Sequence, residues 1–163
     1  MGGKLLNLGW RTVQAFIPGL ARPADAFARR WLTDEEYSLY LQLDVRDRSH
    51  SVLVARRLLD AGTAERELVA AALLHDIGKS LLPFNPVFRV IAHLYRPRGL
   101  PSWPLQPGLR GALQLREHHE QLGGQLIRDA GGSPRVAQLV RQLGDERSRE
   151  PAVRLLREAD AAT

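Results

Sequence analysis

The chain has 163 residues, enough to bury one good core and most simply one domain, and it carries 23 Lys and Arg against 18 Asp and Glu, a net charge of +5. It has no cysteine, which excludes disulfides and thiolate metal sites and leaves His, Asp, Glu and water to hold any metal. No apolar run approaches the roughly 18 residues of a membrane span, and the stretch Leu5 to Trp10, broken by Asn7, lacks the continuous apolar block of a secretory signal. The expectation is a cytoplasmic protein.

Leu6, Trp10, Val13, Ile17 and Leu20 recur at three- and four-residue steps, an amphipathic helical stripe. It is expected to pack on the main domain, the alternative being a membrane-surface or partner-binding helix. Residues 1–32 are accordingly an N-terminal helical extension and 33–163 the domain proper. Pro18, Gly19 and Pro23 break the stripe, and Thr33-Asp34-Glu35-Glu36 then offers a capping box that starts a helix over about 34–43. Between Asp47 and Leu59 the apolar positions Val52, Leu53, Ala55, Leu58 and Leu59 predict a helix with His50 in its first turn, stopped by Gly62. Thr63 is expected to cap the next helix, whose Leu68, Ala71, Ala72 and Leu74 make it a buried one that delivers His75 at its C-terminal end.

Six of the ten prolines lie between Pro83 and Pro107. Within that stretch Asn85-Pro86 reads as an N-cap followed by proline at the first helical position, opening a short helix through Phe88, Val90, Ile91 and Leu94. Residues 96–108 are expected to form a loop, either a lid or a surface connection. Helix signals resume from Gly111 to Ala130, again from Ser133-Pro134 to about Leu143, and finally from Pro151. No segment alternates with a two-residue period, so the expected fold is all-α, a compact helical bundle without a sheet.

The chemistry-bearing residues fall in separate helical segments. His75 and Asp76 are adjacent and precede Ile77-Gly78-Lys79. Asp47-Arg48-Ser49-His50 lies upstream, His118-His119 downstream, and Ala159-Asp160 at the end of the final apolar segment. Imidazoles and carboxylates together suit a divalent transition metal.

With these residues in place the chain resembles the HD-domain superfamily of metal-dependent phosphohydrolases, in the form whose motif reads His-Asp-Ile-Gly. The family order of His, His-Asp and a distant Asp falls on His50, His75, Asp76 and Asp160, over roughly residues 33–163. The resemblance implies that these four hold a divalent metal ion (Mn, Fe, Co, Ni, Zn or Mg) and that attack by its bound water cleaves a phosphate ester of a nucleotide or related phosphorylated small molecule. Asp76 would also orient the water, and Lys79 would neutralise charge building on the phosphate. Arg48 and Arg116 are weaker candidates for that task.

His119 matches the family's further histidine, which is followed four residues later by a glycine and a small residue, here Gly123-Gly124. It is a candidate for substrate or a second metal, and His118, about 100° away around the helix, is the lesser one. Leu143 stands where many relatives place another histidine, which counts against two metals. The Gly-Tyr-Pro element of the cyclic-dinucleotide branch and the Glu-Asp pair of alarmone hydrolases are both absent, so neither substrate is favoured.

His93 has no partner at ligand spacing and is read as structural or exposed. The basic charge favours anionic substrates. The arginines are scattered without interleaved aromatics, so nucleic acid is not an expected partner. A homo-oligomer is left open. The alternative function is a catalytically silent domain of the same type, serving as a metal- or ligand-binding regulatory module.

Overall fold

The computed structural model describes residues 24–163 apart from 84 and 96. The amphipathic stripe over Leu6 to Leu20 lies outside the described residues, as does the side chain of His93. Among the described residues eight α-helices follow in order: α1 (Asp25–Arg29), α2 (Asp34–Tyr40), α3 (Val45–Asp60), α4 (Arg66–Leu74), α5 (Pro86–Leu94), α6 (Gly108–Asp129), α7 (Pro134–Leu143) and α8 (Pro151–Ala161). A 3₁₀ helix, Ile77–Leu81, lies between α4 and α5. Among the described residues there is no strand, as the sequence pattern requires.

Helix α4 is the axis of the bundle. Every residue from Leu68 to Leu74 is buried, so the segment is apolar all round, as a helix covered on all sides must be. It is surrounded by α2, α3, α7 and α8. Helix α6 forms a second layer, packed on α7, the 3₁₀ helix and α5.

The α2 start is the expected capping box: Glu36 N donates to Thr33 Oγ1 at 3.3 Å and Thr33 N to Glu36 Oε2 at 3.0 Å. Glu36 does more than cap. Its fully buried carboxylate also accepts from Ser133 N at 3.0 Å and from the Arg66 guanidinium. It thereby fastens the first turns of α2, α4 and α7 together.

Three local expectations are corrected. Helix α2 ends at Tyr40 rather than 43. Helix α3 starts at Val45 because Asp44 is its N-cap, with Oδ1 accepting from Arg46 N at 3.0 Å; His50 therefore sits in its second turn. Thr63 does not cap α4, which begins at Arg66 after Glu65. Instead Gly62 N donates to Leu59 O and Thr63 N to Leu58 O, both at 2.9 Å, a Schellman closure of α3 with Gly62 at φ +85°.

Asn85 caps α5 as expected, its Oδ1 accepting from Phe88 N at 3.1 Å with Pro86 following. The described part of the proline-rich segment is fastened to α6 as a connection. Buried Gln114 accepts from Gln106 N at 2.8 Å and donates to Pro101 O at 2.8 Å and Pro104 O at 3.1 Å. Glu117 takes Gly99 N at 2.8 Å and Leu100 N at 3.1 Å.

Candidate metal centre

Three helices bring three side chains to one point: His50 from α3, His75 at the C-cap of α4 and Asp160 from α8. One ligand atom from each lies within 4.8 Å of the others. His50 Nε2 is 2.8 Å and His75 Nε2 3.6 Å from the same oxygen, Asp160 Oδ1. The two imidazoles meet edge to face with centroids 5.4 Å apart.

The arrangement suits a cation. His75 Nδ1 lies 2.8 Å from Ala72 O, and a carbonyl only accepts, so Nδ1 carries a proton and Nε2 is turned towards Asp160 and Asp76. A nitrogen lone pair facing two carboxylates repels them until a proton or a metal ion lies between. The His50, His75 and Asp160 donor set, with borderline nitrogen and hard oxygen, can coordinate a divalent metal ion.

Asp76 follows His75 and is buried with it. Its Oδ1 is 3.6 Å from His75 Nε2 and 3.3 Å from His119 Nε2, and its Oδ2 is 2.6 Å from Lys79 Nζ. Burial alone would raise its pKa, but the charge of His75 and Lys79 and the bond from His119 hold it well below the ordinary carboxylate value. Burial likewise works against ionisation of Asp160, and the hydrogen bond from His50 with the charge of His75 overrides it, leaving the pKa at about 2. Both carboxylates are therefore ionised and ready as ligands or hydrogen-bond acceptors near neutral pH.

His119 is aimed by its own helix, with Nδ1 at 3.0 Å from Leu115 O one turn earlier. His118, on another face of α6, has Nε2 at 2.6 Å from Leu100 O and so holds the proline-rich segment rather than joining the cluster. Arg48 is engaged by Asp25 at 2.7 Å and lies over the Tyr40 ring. Arg116 lines a cleft of about 530 Å³, whose walls also include Lys79, His119 and Arg89.

Glycines set the spacing. A Cβ at Gly78 would stand 2.0 Å from His119 O, and one at Gly123 would stand 3.1 Å from Gly78 N. Only bare backbone lets the 3₁₀ helix lie this close on α6, and that contact places Asp76 beside His119. On the other side a Cβ at Gly124 would meet Ala137 O at 2.7 Å, so the same glycine pair admits α7.

A model of the HD domain matches residues 48–163, most of the chain. The chain belongs to the HD-domain family. No curated protein and no solved structure matches it. Leu143 of this HD domain packs partly buried against the core at the end of α7.

Sequence reasoning missed Arg89 and its pairing with Asp47. The Arg89 guanidinium on α5 is held by both oxygens of buried Asp47, each at 2.7 Å, a bidentate pair that fixes a cleft-facing cation. The two lie 42 residues apart, and no local pattern marks such a pairing.

Proposed function

We propose that this HD domain is a metal-dependent phosphohydrolase that cleaves a phosphate ester of a nucleotide or related phosphorylated small molecule. The observation that carries the reading is the convergence of His50, His75 and Asp160 on one point, with Asp76 beside it joined to Lys79 and His119, which line a small-molecule cleft. His50, His75, Asp76 and Asp160 would hold the metal. The ion supplies Lewis acidity towards a phosphoryl oxygen and makes water acidic enough to serve as nucleophile near neutral pH.

The chain's own groups divide the remaining work. Asp76, ionised and within reach of Lys79 and His119, accepts a hydrogen bond from the attacking water and fixes its direction. Lys79 and Arg116 meet the negative charge on the phosphoryl oxygens. His119 Nε2 is placed to exchange a proton at the leaving oxygen. Residues 33–163 form the catalytic domain. The lack of cysteine agrees with a reducing, cytoplasmic setting, and no described helix is long and apolar enough to cross a membrane.

The test is elemental analysis of purified protein beside a phosphate-release assay on a nucleotide panel with Mn²⁺, Co²⁺ or Mg²⁺ added. Turnover that falls roughly a hundredfold or more in Asp76→Ala is the expected result. Leu143 in place of a further histidine favours the regulatory reading, which is the conclusion if stoichiometric metal accompanies no phosphate release from any substrate.

A further inference from the structure

The cleft beside the metal cluster is built from two helical faces and the exit of the 3₁₀ helix. Helix α5 contributes Phe88, Arg89 and Ala92, and α6 contributes Ala112, Arg116 and His119. Spacings of three, four and seven place the α6 set on one side of its helix, and Phe88 and Arg89 stand four and three residues before Ala92 on the facing one. The volume, about 530 Å³, is that of a small-molecule site.

Its chemistry is of two kinds. The cationic part is Lys79, Arg89 and Arg116, with Lys79 and His119 tied directly to Asp76, so this part adjoins the metal cluster and suits a dianionic phosphate. The rest is largely aliphatic or aromatic, with Leu82, Phe88, Ala92, Ala112 and Leu115 among the residues that line it.

Beside the cations, the described lining residues offer two hydrogen-bonding side chains: Asn85, whose oxygen accepts from Phe88 N, and His119, whose ring nitrogens face Leu115 O and Asp76 Oδ1. A nucleobase or sugar lodged there would lose water from its polar edges with few side chains to replace it, which costs binding. An alkyl or aryl group loses nothing of the kind.

We propose that the cleft takes phosphate monoesters whose organic part is apolar, an alkyl, prenyl-like or aryl group, in preference to nucleotides. This narrows the phosphohydrolase reading and rests on it for the fate of the ligand. Water's oxygen would bond to phosphorus as the ester P–O bond breaks, giving orthophosphate and the free alcohol, which takes up a proton.

The binding claim stands on the cleft alone and is tested first. Calorimetry on the full chain loaded with Mn²⁺ measures butyl, hexyl and octyl phosphonate against adenosine 5′-monophosphate. The expected result is a three- to fourfold gain in affinity per added methylene, roughly, until the cleft is filled. Octyl phosphonate should then bind about tenfold or more tighter than the nucleotide.

In Ala112→Gln, with an unchanged melting temperature, the chain-length gain should flatten while inorganic phosphate binds as before. A flat series in the native protein, tighter binding of the nucleotide, or no binding of any phosphonate overturns the proposal. Phosphate release from octyl phosphate and from nucleotides separates the two readings. A steep series without release retains the cleft assignment and removes the hydrolase. Release from nucleotides with a flat series does the reverse.

Discussion

Replacing Gly78 with alanine adds one methyl group at the tightest contact beside the site. That Cβ would lie 2.0 Å from His119 O, 2.8 Å from its carbonyl carbon and 2.9 Å from its Cα. All three are backbone atoms, so no side chain can swing aside. Ordinary contact requires the 3₁₀ helix and α6 to part by about 1.4 Å.

Overpacking of this kind costs about 1–3 kcal/mol, which for a chain of this size lowers Tm by roughly 3–9 °C. The displaced residue is His119, whose Nε2 is 3.3 Å from Asp76, so the site loosens as well. A misplacement near 1 Å can reduce turnover about a hundredfold.

Gly62→Ala is the matched control. Gly62 has φ +85° with nothing within 4 Å of a new Cβ, so alanine there costs about 1–2 kcal/mol through its backbone alone and leaves the site intact. Thermal melting and Mn²⁺ titration of both variants check this. A Gly78→Ala protein that melts and binds metal like the native chain would show that the contact between the 3₁₀ helix and α6 does not set the site.

Other outcomes follow from single contacts. Arg89→Met should cost about 3–5 kcal/mol in urea unfolding by leaving buried Asp47 uncompensated, and the Asp47→Leu, Arg89→Met double variant should recover much of it. Equal loss in single and double variants would contradict this. Glu36→Ala removes the carboxylate that joins α2, α4 and α7 and leaves Arg66 and Ser133 N short of an acceptor. It should lower stability by about 3 kcal/mol or more, measured as a shifted denaturant midpoint with native-like helicity in dilute buffer. Metal at a hundred times its dissociation constant should stabilise the fold by about 2.7 kcal/mol, a gain abolished by chelator and missing from Asp160→Ala. Identical melting curves with and without metal would remove the centre from the folded state's energetics.

The features legible in the sequence are those whose physics is local. Apolar spacing announces α4 as buried, Thr33 with Glu36 announces a helix start, and Asn85-Pro86 announces another, because each depends on residues within one turn. Thr63 shows the limit of such reading. A threonine after glycine serves equally as the end of one helix or the cap of the next, and here the hydrogen bond to Leu58 O decides it.

The His50, His75 and Asp160 cluster was visible only through a motif order, since nothing in the local sequence brings α3 to α8. The contacts that spacing could not supply are side-chain partners far apart in the chain: Glu36 with Ser133, 97 residues on, and Asp47 with Arg89. Gln114 reads as an ordinary helical residue, yet it is fully buried and organises the proline-rich segment.

Asp160 lies 110 residues beyond His50, and this separation sets an order of events during synthesis. Helices α3 and α4 can pair as soon as both have emerged, but His50 and His75 lack Asp160 until α8 arrives and docks. Closing so long a loop is slow and entropically costly. An ion held by all three side chains would therefore bind only once α8 has docked, and would tie α8 to α3 and to the end of α4 across that whole loop.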